Sequence, residues 1–522
     1  MRIVEVRFLE GPNVFMLSPA VKVEVDVTAG KSGGSEVPQA LERAQTLVIE
    51  SYKKAGCKPP QTSLERLETP GHFALVFSWD RRSIARSVAD LVERYIQSPV
   101  DAETLLAEWA AAPTSDGDNE LPLMIRDAER KSLTIAVTGT NGKTTTTRLI
   151  AHLFTMAGKT AGWSSSSGVY IGGTEVLTGD YSGPQGARRV LEDPVVEVAV
   201  IETARGGILL LGIACESFDI SVFTNISADH LDLQGVHSVE GLARVKAVVS
   251  RVTRKDGYAV VNADDPLVMS STSSVDARMI LVSQQPESER LASHVDTGGT
   301  AVINDRGEVT LIDPGRRTVI CEVADIPMTF GGAAGFMTEN ALCAAAAAFS
   351  GGLTTSQIRK GLISFQNSTA LNPGRMNVFD AHGVRVIVDF AHNEAGLEVL
   401  LDFAHSVAGD SDRVISIIGT GGDRNEHALR ELGRIGASRS DYVIAKGTVK
   451  YQRGRPLADI MTLYLEGLQS VAGAAWETSD NELTAVKRAL EIAKSGDVIV
   501  VMAQEHVSEI SDYLVEIGAI PR

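Results

Sequence analysis

The sequence predicts an α/β protein in three units: an N-terminal α+β unit over residues 1–112, a central unit over 123–370 built on a mostly parallel sheet, and a C-terminal α/β unit over 371–522. Three observations carry this reading. Short apolar runs alternate with helical stretches through most of the chain, as a parallel sheet requires. A glycine-containing turn, "TGTNGKTT", joins one such run directly to a helix. A polar segment with proline and glycine, "PTSDGDNELP" at 113–122, separates the first unit from the rest.

In the first unit, Val4, Val6 and Phe8 alternate like a strand, and "HFALVFSW" reads as a second one. Ile84, Val88, Leu91 and Ile96 fall on one face of a helix. The central unit supplies strand candidates in "LTIAVTG", "VEVAVIE", "DISVFTNI" and "YAVVNADD", then hairpin-like short strands over about 296–330. "MTENALCAAAAAFSGG" is an alanine-rich helix stopped by glycines. "VRVIVDFAH", "RVISIIGTGGDR", "DYVIAKG" and "DVIVVMAQ" give the strands of the last unit.

Composition narrows the function classes. The 522 residues are 44% hydrophobic and 22% charged, an ordinary globular mixture. A net charge of −17 without a basic block disfavours nucleic acid, which rewards clustered cations. Cys57, Cys215, Cys321 and Cys343 lie far apart, which argues against a disulfide framework or zinc ribbon and suits a reducing cytoplasm. The first residues lack a signal-peptide core, and no apolar run is long enough to span a membrane.

In "TGTNGKTT" the strand is expected to end near Thr138 and the helix to begin near Thr144. Gly139 and Gly142 let backbone N–H groups converge on an anion beside the helix N-terminus. Lys143 would reach the outer phosphates of a nucleotide, and the Thr144 hydroxyl would ligate magnesium. The general phosphate-loop pattern wants glycine at 137, where this chain has Val137.

"GTNGKTT" resembles the ATP loop of the Mur ligases, ATP-dependent amide-forming enzymes. "SGVYIGG", "GDYSGPQGARRVLEDP", "VIETARGGIL", "FTNISADHLDLQGVHSVEGLARVK", "VVNADDPLV" and "PGRMN" resemble the Mur-ligase module of cyanophycin synthetases, over roughly 130–510. "VRFLEGPNVFML" is similar to the N-terminal domain of that family, in which an ATP-grasp domain stands between the two parts; only a short linker stands there in this chain.

The resemblance implies a site. Gly139, Thr140, Asn141, Gly142, Lys143, Thr144 and Thr145 would hold ATP, with Arg375 on the phosphates, Asp389 on the ribose and Asn340 near the adenine. Thr144 and Glu202 would hold one Mg2+. His230 would hold a second, together with Lys246 as its carbamate. Lys143, His230, Lys246 and Arg375 would be the catalytic set. Taken as bare residues, Glu202 could cap a turn, Asn340 a helix, Asp389 could be a strand-end carboxylate, and Lys246 a solvated charge on a helix. "AHNE" departs from the family's commoner "AHNP", which leaves His392 without an assigned role.

The last unit would bind the incoming amine, through Arg424, Asn425 and the loop "KGTVKYQRGRP". Lys446, Lys450 and Arg453 make that loop basic in sequence, which favours a carboxylate-rich substrate over arginine. The expected reaction is ATP-dependent joining of an amino acid or amine to a small-molecule or peptide carboxylate, in the cytoplasm; homo-oligomerisation stays open. An amidotransferase-coupled ligase, a folylpolyglutamate-synthase-like ligase and a regulatory nucleotide-binding subunit stand as alternatives.

Overall fold

The computed structural model describes residues 1–28, 38–97, 100–111 and 120–522. Most of the expected 113–122 linker, and the boundary at 112, lie outside the described residues. Three sheets organise the chain, of four, eleven and seven strands.

The first sheet is antiparallel, in the order Arg2–Leu9, Ala20–Asp26, His72–Ser78, Thr62–Arg66. Val21, Val23, Val25, Phe73, Leu75 and Phe77 point to one face, a period of two along each strand. They bury there against Leu41, Ala44 and Val48 of the helix Gln39–Lys54, and against Ala85, Val88 and Val92 of the helix Arg82–Gln97.

The second sheet has a parallel centre. The strand Leu133–Thr138 lies between Phe218–Phe223 and Val198–Glu202, and pairs in parallel with both. Antiparallel hairpin strands close the two ends, Gly168–Ile171 with Thr174–Thr178 and Glu308–Asp313 with Arg316–Glu322. Strand ends on either side of Leu133–Thr138 therefore open one crevice, the usual ligand position in such sheets.

The alanine-rich stretch forms the helix Gly335–Ser350, with Ala344 through Ala348 fully buried. Small side chains let it press close to the helix Lys143–Met156 on one side and the sheet on the other. In the third sheet Val384–Asp389, Val498–Met502, Val414–Ile418, Tyr442–Lys446 and Trp476–Ser479 run parallel. Asn377–Ala381 and Ile520–Pro521 form its antiparallel edge. All four cysteines are unpaired. No helix among the described residues is long and apolar enough to cross a membrane.

Candidate functional site

The strand of the opening turn ends at Thr138, and its helix begins at Lys143, one residue before the expected Thr144. Gly139 and Gly142 have φ of 149° and 81°, a backbone that favours glycine. Space demands it too: a Cβ at Gly142 would lie 2.2 Å from Asn340 Oδ1, and one at Gly139 would lie 1.9 Å from Thr224 Oγ1. Val137, the departure from the general pattern, is a fully buried strand residue.

Thr144 is where the units meet. Its hydroxyl donates to Glu202 Oε2 at 2.9 Å, lies 3.2 Å from Ser166 Oγ, and accepts from Arg375 Nη2 at 3.3 Å. Glu202 ends a central strand and is 2% exposed; Arg375 comes from the start of the C-terminal unit. The Arg375 guanidinium sits 4.5 Å from the centre of the Phe390 ring, which holds the fork without neutralising it. The Lys143 ammonium donates to Thr140 O at 2.7 Å. Burial lowers its pKa, and Arg375 adds to this against Glu202 and Asp229.

A second group lies beside it. Asp229, His230 and His392 bring one ligand atom each within 4.8 Å of one another. His392 Nε2, from the C-terminal unit, lies 3.7 Å from Asp229 Oδ2. Arg424 enters the same group, with Nη2 3.2 Å from Asp229 Oδ1 and Nη1 2.7 Å from His230 Nδ1. Burial opposes the charge of Asp229, but Arg424, His230 and His392 outweigh it and hold the carboxyl well below the usual range. Arg205 donates to His230 O at 2.6 Å and steadies the loop, in which His230, Asp232 and Gln234 all have positive φ.

Lys246 is not a solvated helix charge. It is 4% exposed, and Nζ donates to Gly139 O at 2.6 Å, directly under the turn. Burial, then the nearby Lys143 cation, push its pKa well below the ordinary lysine value.

The sequence of the site is matched by two family models, the Mur ligase middle domain over residues 137–348 and the Mur ligase glutamate ligase domain over 374–504. The chain belongs to the Mur ligase family. It is 41% identical over 371 residues to a cyanophycin synthetase of Synechocystis sp., which covers 71% of this chain and 42% of that protein. It is 25% identical over 379 residues to a UDP-N-acetylmuramoyl-L-alanyl-D-glutamate–2,6-diaminopimelate ligase of Syntrophomonas wolfei, covering 71% and 73%. The chain spans about two-fifths of the length of the cyanophycin synthetases it matches. In fold it is similar to E. coli FolC in complex with DHPP and ADP, with a TM-score of 0.55 and 21% identity over 74% of this chain and 90% of that one. A pseudomurein peptide ligase type C from Methanothermus fervidus gives 0.52 and 19%, over 74% and 79%.

Within this Mur ligase the remaining expected residues fall as follows. Asn340 does not cap its helix, which begins at Gly335 after Ala334; it is buried against Gly142 and accepts from Thr146 Oγ1 at 3.2 Å. Asp389 ends its strand, and its two oxygens accept from Met376 N at 2.8 Å and Ala391 N at 2.7 Å. The basic loop fails at its first residue: Lys446 is fully buried, and Nζ lies 2.5 Å from Glu482 Oε1 and 2.6 Å from Gln504 Oε1. Lys450 lies along Glu505, whose carboxylate accepts its backbone N–H. Arg453 is exposed, 5.5 Å from the Tyr451 ring, and its charge helps to lower the pKa of Asp423. Arg424, expected on the amine, is instead buried against the Asp229–His230 group, while Asn425 caps the helix Glu426–Arg439.

Asp229, His392, Arg205 and Ser166 were missed by the sequence reading as site residues. The Asp–His dipeptide was the available signal for Asp229, the "AHNE" stretch for His392 and "VIETARGGIL" for Arg205; nothing local marks Ser166. The oxygen set of Thr144 and Glu202 fits a hard cation. The Asp229–His230 group fits a second one in ligand type, with His230 Nε2 facing Asp229 and Nδ1 3.2 Å from Asp423 Oδ2.

Proposed function

We propose that this chain is an ATP-dependent carboxylate–amine ligase, using the central turn for the nucleotide and the C-terminal unit for the amine. One observation carries this reading: a phosphate-type turn, an acidic strand end and an arginine from another unit converge on one threonine hydroxyl. That arrangement suits transfer of a terminal phosphoryl group in a site completed by both units.

In the reaction an acceptor carboxylate oxygen attacks the γ-phosphorus, ADP leaves, and an acyl phosphate forms. An amine nitrogen then attacks the acyl carbon, phosphate leaves, and the nitrogen loses a proton to give the amide. Lys143 and Arg375 neutralise the charge that gathers on the phosphoryl oxygens. Thr144 and Glu202 would hold Mg2+, with Asp229, His230 and a carbamylated Lys246 around a second ion. Such ions would supply charge neutralisation at the phosphates. The Arg375–Thr144 and Arg424–Asp229 contacts hold the two units closed, which keeps water from the acyl phosphate. Asn340 and Asp389 would bound the nucleoside.

The acceptor is proposed to be a small-molecule or peptide carboxylate, and the second substrate an amino acid. The N-terminal unit, set against the central one without a second ligase between them, favours a single ligation over polymerisation. Phosphate release with ATP should appear when candidate amino acids are screened against dipeptides and isoaspartyl peptides, with products read by mass spectrometry. Lys143→Ala should lower that rate by about 10²–10³ while the melting profile stays in place. Nucleotide binding without phosphate release for any pair would favour the regulatory-subunit alternative.

A further inference from the structure

The segment that delivers Arg375 is held by three buried asparagines spaced five residues apart. Asn367, Asn372 and Asn377 are 5%, 0% and 2% exposed. Asn372 Nδ2 donates to Asn367 Oδ1 at 3.0 Å; Asn377 Nδ2 donates to Asn367 O at 2.8 Å and Asn372 O at 3.1 Å. Asn377 Oδ1 accepts from Gly374 N at 2.7 Å, and Arg375 N donates to Asn372 O at 3.2 Å. The turn is left-handed on both sides of Arg375, with φ of 66° at Gly374 and 52° at Met376. A non-glycine residue in that region needs its surroundings to hold it there. Asp389 Oδ2 accepts from Met376 N at 2.8 Å, and the asparagines hold Gly374 and Arg375 just before it.

The network also reaches the helix of the phosphate turn. Asn372 Nδ2 lies 3.4 Å from Thr145 Oγ1, and Asn372 Oδ1 accepts from Arg148 Nη1 at 3.4 Å. Arg148 is 5% exposed and donates through Nη2 to Ser167 Oγ at 2.6 Å, next to the Ser166 that Arg375 touches. Its hydrogen-bond partners are neutral, so its charge is left to the site. Burial, with Arg375 next, pushes its pKa down to about 10, so it keeps its charge at neutral pH.

We propose that Asn372 is a positioning residue: it ties the Arg375 turn to Arg148 and Thr145 on the phosphate helix, and so fixes the reach of Arg375 to the nucleotide's terminal phosphate. Its side-chain bonds run both to its own segment, at Asn367, and to the phosphate helix, at Thr145 and Arg148, a bridge that no single-unit packing role requires. The proposal rests on the reading of Arg375 as a phosphate contact, and a thermodynamic cycle separates the two.

Affinities for AMP-PNP and for ADP are measured by calorimetry on the full chain as wild type, Asn372→Ala, Arg375→Ala and the double variant. Arg375→Ala should weaken AMP-PNP relative to ADP on the order of tenfold or more, the worth of a charged hydrogen bond. Asn372→Ala should reproduce most of that selective loss, and the double variant should be no worse than Arg375→Ala alone. A merely structural asparagine would lower the melting temperature and weaken both nucleotides alike, with losses that add; that result overturns the proposal. An Arg375 effect with no Asn372 effect removes the link alone. Equal AMP-PNP affinity in wild type and Arg375→Ala removes the phosphate role of Arg375 and the proposal with it. If Asn372→Ala does not fold, Asn372→Ser is carried through the same cycle and read the same way.

Discussion

Lys246 shows what one side chain can gain from its place in the fold. A lysine on an amphipathic helix reads in sequence as a surface charge, and only the family resemblance singled it out. The structure places it under Gly139, 4% exposed, with its amine held by a backbone carbonyl. A neutral amine there can add carbon dioxide, forming an N–C bond and releasing a proton to leave an anionic carbamate. We expect Lys246→Arg to lose about 10²–10³ in turnover, because guanidinium stays charged and cannot form the carbamate. Removing carbon dioxide from wild type should give a smaller loss that bicarbonate reverses. Full turnover of Lys246→Arg would end the catalytic assignment. Lys446 shows the reverse error. Its charge was legible in "KGTVKYQRGRP", but its partner Glu482 is 36 residues away, and only tertiary structure brings them together.

At the scale of elements, strands and motif turns were readable because their cause is local: period, glycine, and the order of strand, turn and helix. "LTIAVTG" and "DYVIAKG" became the strands Leu133–Thr138 and Tyr442–Lys446 because short apolar runs between turns had no other way to be buried. The asparagine network and the Asp229–His392 approach depend on how units pack, and sequence spacing carries no signal of that. The alanine-rich helix illustrates a further property of an element. Glu339, beside Asn340, is partly buried, and the loss of solvent, opposed by the Asn225 hydrogen bond, pushes its carboxyl up to about 7. Asn225 Nδ2 donates to it at 3.0 Å. A raised folded pKa favours the protonated form, so its stabilising effect is full below the ordinary pKa of 4.5 and is lost as pH rises through about 7. Glu339→Gln imitates the protonated acid. The variant should match wild type in urea melts at about pH 4 and exceed it at pH 8, by on the order of 3 kcal/mol at most. A difference that does not change with pH would show that the carboxyl ionises freely.

Across the whole molecule, the N-terminal unit is joined to the machinery by more than a linker. Glu10 N donates to Leu211 O at 2.7 Å, Ile213 N to Pro12 O at 2.8 Å, and Arg7 Nη1 to Leu209 O at 2.8 Å. The most consequential contact is Glu68. Its carboxylate accepts from His237 N at 2.7 Å, Ser238 N at 3.0 Å and Arg244 Nη2 at 2.5 Å, at the start of the helix Val239–Arg251 that carries Lys246. An anion at a helix N-terminus is favoured by unpaired N–H groups and by the helix dipole. Next to it, Thr69 Oγ1 meets His237 Nε2 at 2.9 Å, His237 Nδ1 meets Asp232 Oδ1 at 2.9 Å, and Asp232 Oδ2 accepts from Asn425 Nδ2 at 3.2 Å. All three units thus meet on the loop after His230. Glu68→Ala should loosen that start by about 1–2 kcal/mol, as losing a helix cap does. The direct readout is amide hydrogen exchange, which should quicken along residues 239–251 while the core strand Leu133–Thr138 keeps its protection. Burial opposes the Glu68 charge, but the His237 and Ser238 donors outweigh it and lower its pKa, so the stabilisation is present above about pH 4.5 and fades as pH falls below that. The exchange difference between wild type and Glu68→Ala should therefore shrink on acidification. Unchanged exchange over 239–251 at neutral pH would mean that the N-terminal unit rests on this helix without holding it.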